Sequence, residues 1–315
     1  MKIVLLESLA IPTTLLDSYA KKLEANGHQF CAYEKDTNED TQIARAKDAD
    51  VIMIANMPLS ANVIDNCPNL KYIDIAFTGF DHVALESAKA RQIAVSNASG
   101  YANVSVAELV IGMMLSMLRN VPQVDKRCRE GKTKEGLVGR LLEGKTVGII
   151  GTGAIGMRVA ALCHAFGCNI LGYDSFPKEE APDYITFTTL EDVLQSSDIV
   201  TLHCPLTKES TDLINKERIE LMKPNAYLIN AARGPIVNSS ALADALNNDK
   251  IAGAAIDVFE IEPPLDTAHP LLHSKNTIVT PHIAFASAES MQLRAEIVFD
   301  NLDAWMNGTH KNKVI

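Results

Sequence analysis

Apolar and polar positions alternate along the first hundred residues in blocks that read as strand, helix, strand. Lys2–Glu7 is a short strand. Thr13–Asn26 is a helix with Leu15, Leu16, Tyr19, Ala20 and Leu23 on one face and Gly27 as its stop. Val51–Ala55 is a buried-type strand, and Ser60 is placed to cap a short helix bearing Val63 and Ile64. Tyr72–Phe77 and Ile93–Ser96 are further strands. A long Val-, Leu- and Met-rich helix is expected over about Asn103–Asn120, then a polar exposed connection over Asp125–Arg140. A second series starts at Thr146. Its strands are Thr146–Ile150, Asn169–Tyr173, Ile199–His203, Ala226–Asn230, Ala252–Val258 and Thr277–Thr280. Helices fall between most of them, including Ala154–Phe166 and Ser240–Asn247, and a last helix covers about Ser287–Met306. Strands alternating with helices imply parallel sheets with right-handed crossovers. The expected fold class is therefore α/β, with two doubly wound parallel-sheet domains.

Composition narrows the function classes. The 315 residues are 47% apolar and 22% charged, ordinary for a globular chain. Lys and Arg number 29 against 39 Asp and Glu, a net charge of −10 with no basic run, so nucleic acid is a poor partner. The longest charge-free stretch, Gln92–Ala107, has 16 residues, short of the roughly 20 that span a membrane. The apolar run after Lys2 ends at Glu7, too short for a signal peptide. Six cysteines without a Cys-x-x-Cys pair point to reduced thiols, no metal site and a cytoplasmic location.

The chemistry starts at Gly151-Thr-Gly153-Ala154-Ile155-Gly156, where an apolar strand meets a helix. In such a loop the first Gly turns the chain. The second lets backbone approach a pyrophosphate, and the third lets helix and strand pack closely. The phosphates then sit on the free N–H groups of the helix start. The next strand ends in Asp174, 18 residues after Gly156. An acid there accepts hydrogen bonds from ribose hydroxyls and repels a 2′-phosphate, which favours NAD. Ser175 and Phe176 offer no Arg for a 2′-phosphate. Three more residues follow predicted strands: Arg233, Glu262 and His282. An Arg fork binds a carboxylate, a His exchanges a hydroxyl proton near neutral pH, and a carboxylate beside that His orients it. Singly, each is as consistent with a surface charge, a loop acid or a core histidine. Together, behind a dinucleotide fold, they form a usable set.

With Asn230-Ala-Ala-Arg233-Gly-Pro-Ile-Val, Ala255-Ile-Asp257-Val-Phe-Glu, Glu262-Pro-Pro and Thr280-Pro-His282-Ile-Ala, the chain resembles the D-isomer-specific 2-hydroxyacid dehydrogenases over essentially its whole length. The resemblance implies a flavodoxin-like substrate domain, residues 1–97 and 285–315, and a Rossmann NAD domain, residues 98–284. It implies Arg233 for the substrate carboxylate and carbonyl, His282 as acid/base and Glu262 as its partner. Asp257 matches the position that holds the nicotinamide carboxamide. Ala231 and the segment His203-Cys204-Pro205 fall beside the cofactor. Homodimers are usual, with the helix near 103–120 at the interface. Substrate contacts are expected from Phe77, Thr78 and Gly79, from Ser99 and Gly100, and from Phe285.

Phosphoglycerate dehydrogenases resemble this chain but carry Arg where Ile75 stands, which disfavours a phosphorylated acid. The stretch Pro281–Ser287 is similar to the hydroxypyruvate reductases, also called glycerate dehydrogenases, although these often place Trp at the position of Phe285. Hydroxypyruvate and glyoxylate are the first expected substrates. D-lactate-type or phosphoglycerate-type dehydrogenases are alternatives within the family. A corepressor-like NAD(H) sensor that binds without turnover is the alternative in kind.

Overall fold

A computed structural model describes residues 1–176, 181–261 and 265–315. The chain divides into two compact units, Met1–Ala102 with Ala286–Ile315, and Asn103–Phe285.

The first unit runs β1 (Lys2–Leu5), α1 (Thr13–Ala25), β2 (Gln29–Ala32), α2 (Glu39–Ala46), β3 (Val51–Ile54), α3 (Ala61–Asp65), β4 (Tyr72–Ile75), α4 (Leu85–Ala90) and β5 (Ala94–Asn97). All pairings are parallel, in the order β2-β1-β3-β4-β5, the flavodoxin-like arrangement. β3 is fully buried, as its continuous apolar run requires, and β4 is fully buried too, Asp74 included. Three elements were not expected from the pattern. β2 is a half-exposed edge strand, and α2 and α4 are short and polar. In α2 the Asn38 side chain accepts from Thr41 N at 3.0 Å, a cap that makes so polar a segment helical.

The second unit opens with α5 (Asn103–Leu118) and α6 (Val121–Arg129). It continues as β6 (Thr146–Ile150), α7 (Ala154–Ala165), β7 (Asn169–Tyr173), β8 (Ile185–Phe187), α8 (Leu190–Ser196), β9 (Ile199–Leu202), α9 (Lys216–Glu220), β10 (Tyr227–Asn230), α10 (Ser239–Asn247), β11 (Gly253–Ile256) and β12 (Thr277–Val279). Its seven parallel strands take the order β12-β11-β10-β9-β6-β7-β8. Six of them reproduce the Rossmann order, with β12 as an added edge. The first part of the expected connection, Asp125–Arg129, is instead helical. Asn120 turns left-handed at φ 53° and Pro122 sits in the first turn of α6, so the chain restarts a helix rather than entering a loop. α5 buries Val106, Val110, Met113, Met114, Met117 and Leu118 within this one chain, which accounts for its apolar faces.

The last helix, α11 (Ala288–Met306), belongs to the first unit. Ser287 caps it, accepting from Ser290 N at 3.1 Å. Phe299 stacks on Tyr19 with centroids 4.0 Å apart, and Trp305 stacks on Tyr72 at 4.7 Å. The turn Ala98–Ala102 also stays with this unit, because Ala98 N donates to Phe77 O at 3.0 Å and Tyr101 packs beside Phe77. Among the described residues no single helix is long and apolar enough to cross a membrane.

Candidate active site

In the second unit the strand order reverses between β6 and β9, and a doubly wound sheet opens its ligand crevice at that point. The glycine loop lies there. Gly151 has φ 92°, and a Cβ on it would overlap the His203–Cys204 backbone after β9. A Cβ on Gly156 would overlap the Gly151 carbonyl. Gly153 faces open space. The N-terminus of α7 has no side-chain cap, so its first N–H groups, which no helix satisfies internally, are left for a ligand. This cradle fits a pyrophosphate.

Asp174, just past β7, ties into the same loop. Its Oδ2 accepts from Thr152 N at 2.7 Å and from Thr152 Oγ1 at 3.1 Å, and Oδ1 accepts from Phe176 N at 2.9 Å. Three of about four acceptor positions on the carboxylate are used, which leaves room for a ribose hydroxyl. Across the crevice, burial pushes the His203 imidazole down to about 3, so it is neutral, and its Nε2 lies 3.0 Å from Thr201 Oγ1. Burial, with the nearby Asp174 charge, raises the Cys204 thiol to about 11, so it is not a nucleophile at neutral pH. Pro205 is exposed beside them.

Arg233 follows β10 on a turn that Asn230 builds. The buried Asn230 amide accepts from Ala232 N at 3.1 Å and donates to Arg233 O at 2.9 Å, enclosing Ala231. Gly234 then lies so close to Phe259 and Glu260 that a Cβ would overlap their backbone. These contacts fix where the Arg233 side chain starts.

Asp257 follows β11 and is fully buried. Its Oδ1 accepts from Thr280 Oγ1 at 2.6 Å and Ile283 N at 2.9 Å, and Oδ2 accepts from Ala284 N at 2.9 Å. Burial raises its carboxyl above the ordinary range despite these donors. The resemblance assigns Asp257 to the nicotinamide carboxamide. The structure turns its carboxylate onto the 280–284 loop, where it organises the backbone around His282. His282 N donates to Asp257 O at 2.7 Å, and His282 itself is left-handed at φ 55°. Its ring meets Phe285 edge-on at 5.4 Å. Glu262 lies outside the described residues.

In the first unit, Phe77 is buried, and its ring lies 6.1 Å from His82 and 6.3 Å from Tyr101. The N–H groups of Thr78 and Gly79 have no protein acceptor among the described residues. Two such donors in sequence suit an anion such as a carboxylate. Ser99 and Gly100 occupy the turn after β5, with Gly100 at φ 96°. The structure thus gathers the glycine loop, Asp174, His203 and Cys204 at one crevice, and Arg233, Asp257, His282 and Phe285 at the ends of β10–β12. Phe77–Gly79 and Ser99–Gly100 lie on the first unit.

Sequence reasoning missed the supporting residues Thr152, Asn230 and Thr280. Asn230 carried a readable signal, since Asn before a tight turn bonds its own backbone two residues on. The other two bond across the fold and carry none.

The NAD-binding-domain model of the D-isomer-specific 2-hydroxyacid dehydrogenases matches residues 111–284. A glyoxylate reductase of Thermofilum pendens is 42% identical over 84% of this chain and 80% of its own. A hydroxypyruvate reductase of Blautia hydrogenotrophica is 33% identical over 100% and 99%. The solved NAD-dependent formate dehydrogenase of Staphylococcus aureus, in complex with NAD, superposes with a TM-score of 0.88 at 31% identity, covering 100% and 99% of the two chains. The chain belongs to the D-isomer-specific 2-hydroxyacid dehydrogenase family, and it is an NAD-dependent oxidoreductase of 2-hydroxy acids.

Proposed function

We propose that this enzyme uses NADH to reduce a small 2-oxo acid, hydroxypyruvate or glyoxylate first, to the D-2-hydroxy acid, and that it catalyses the reverse oxidation. The observation that carries the substrate choice is Ile75. Where phosphoglycerate dehydrogenases hold an Arg, this side chain is sealed inside β4 at 0% exposure, and Phe77 two residues on is also buried. Neither supplies a cation for a substrate phosphate. The names of the two curated relatives reported above support the same choice.

Bound nicotinamide supplies the hydride. Gly151, Gly153, Ala154, Ile155, Gly156 and Asp174 hold the dinucleotide, with His203, Cys204, Pro205, Ala231 and Asp257 around it. Asp174 selects NADH by repelling a 2′-phosphate. On the first unit, the N–H groups of Thr78 and Gly79 are assigned to a carboxylate; on the second, the Arg233 fork is assigned to the substrate carboxylate and carbonyl. Arg233 also stabilises charge developing on the carbonyl oxygen. His282 gives its proton to that oxygen and takes it back in the oxidation. Glu262 is assigned as its partner. Ser99 and Gly100 are the further substrate contacts assigned on the first unit, and Phe285 is the one assigned on the second.

The acid panel hydroxypyruvate, glyoxylate, pyruvate, 2-oxoisocaproate and phosphohydroxypyruvate, followed by loss of NADH absorbance with NADPH in parallel, tests this reading. Fast turnover of the first two with NADH supports it. Preference for phosphohydroxypyruvate overturns the argument from Ile75. Tight NADH binding without turnover of any acid makes a sensor the better reading.

A homodimer is part of the proposal. Val104, Val121, Val138, Leu141 and Phe166 are large apolar side chains left exposed on the second unit, a composition that suits burial against a second copy. A monomer by sedimentation would remove it.

A further inference from the structure

We infer that Asn97 and Asn301, anchored by Asp74 and the C-terminal segment Thr309–Ile315, are positioning residues that aim the Thr78 and Gly79 N–H groups at the substrate carboxylate; this rests on the assignment of that loop to substrate.

The argument starts from the planar trans peptide, in which C=O and the following N–H point in opposite directions. Holding a carbonyl therefore sets the direction of the next N–H. Ala98 N donates to Phe77 O at 3.0 Å, which aims the Thr78 N–H. Asn97 Nδ2 donates to Thr78 O at 2.7 Å, which aims the Gly79 N–H. Both donors of the proposed anion site are thus set from behind by two consecutive residues, Asn97 at the end of β5 and Ala98 just after it.

Asn97 is held in turn. Asn301, on α11 and fully buried, donates from Nδ2 to Asn97 O at 3.0 Å and to Asp74 Oδ1 at 3.3 Å. Asn312 Nδ2 donates to Asn301 Oδ1 at 2.8 Å, and Asn97 N donates to Asn312 O at 3.1 Å. The C-terminal segment runs antiparallel along β5, with Ser96 paired to Lys313 and Val314 N bonded to Val95 O at 2.8 Å. Ser96 Oγ donates to Lys311 O at 2.7 Å. It covers the edge strand of the sheet, which would otherwise present unpaired backbone. Asp74 lies beneath this chain at 0% exposure, where burial lifts its carboxyl well above the ordinary range, and its Oδ1 accepts from Asn301. The last seven residues of the chain and the middle of α11 are therefore linked to the substrate loop by a continuous, part-buried set of hydrogen bonds.

The test uses the full-length enzyme and the variants Asn97→Ala, Asn97→Asp and Asn312→Ala. Asn97→Asp keeps the shape of the side chain and removes the donor. We expect both position-97 variants to raise KM for hydroxypyruvate by about tenfold or more, with a smaller change in kcat and an unchanged Kd for NADH. Asn312→Ala should shift KM in the same direction by less. Combining Asn97→Ala with Asn301→Ala should add little to Asn97→Ala alone, because both act through one chain of bonds. An active enzyme whose KM is unmoved by Asn97→Asp overturns the inference while leaving the functional reading intact. So does an equal loss of kcat, oxo-acid affinity, NADH affinity and melting temperature, which marks a purely structural role. A wild-type enzyme inactive on every acid removes the substrate loop itself and overturns both.

Discussion

His282 holds a left-handed backbone conformation that costs an ordinary side chain about 1–2 kcal/mol. It persists because Asp257 grips the loop from both sides, through its carbonyl to His282 N and through its carboxylate to Thr280, Ile283 and Ala284. Asn tolerates this conformation, so His282→Asn separates chemistry from folding. Its kcat should fall by about 10²–10⁴ while the melting temperature and NADH affinity hold; a kcat near wild type would remove His282 as the acid/base. Asp74 gives a pH prediction. The unfolded chain releases its proton near 3.8, the native chain well above that, so in between the native state binds one more proton. Stability from this group is full below 3.8 and falls as pH rises toward the native value, by at most about 1.4 kcal/mol per pH unit. Asp74→Asn lacks the slope. The wild-type minus variant difference in urea midpoint should shrink from about pH 5 to about pH 7, and a flat difference would mean that Asp74 is ionised in the fold.

At the scale of elements, the turns after the strands matter more than the strands. The Arg233 turn is pressed onto the backbone after β11, with Gly234 at the contact. Gly234→Ala must push Phe259 and Glu260 away, because backbone cannot rotate aside as a flexible side chain can. We expect a loss of about 1–3 kcal/mol in stability, with kcat/KM falling further than stability because Arg233 moves with the turn. Calorimetry and kinetics on the same preparation check this, and wild-type values for both would show that the two turns are not coupled. Side-chain caps close the starts of α2, α3, α8, α9, α10 and α11, whereas α7 starts on Gly153 without one. A helix start left open at the crevice costs stability unless an anion satisfies it.

At the scale of the molecule, the two units carry separate sheets, and the proposal places the dinucleotide on the second. Saturating NADH should slow amide exchange around Ala154–Gly156, where the free N–H groups of α7 lie, while leaving β1 and β2 of the first unit unchanged. Protection centred on the first unit would contradict the cofactor assignment. Net charge, −10 in all, bears on encounter with other molecules and not on either fold.

Much of this was legible in the residue order. Long apolar runs such as Val51–Ile54 and Thr146–Ile150 determine buried parallel strands, since only a strand covered on both faces tolerates them. The glycine spacing with Asp174 determines a dinucleotide loop, because its geometry is local. Arg233 and His282 could be named from their places after strands. The tertiary structure decided what depends on partners distant in sequence. β2, β8 and α4 are too short or too polar to announce themselves, and they form because a neighbouring strand or helix completes them. Asp257 turns to the 280–284 loop because three donors more than twenty residues away converge on it. Asn301 reaches Asn97 and Asp74 across more than two hundred residues. A periodic pattern shows which face of an element is buried. It does not show what that face meets, and the positioning of a site is made of those meetings.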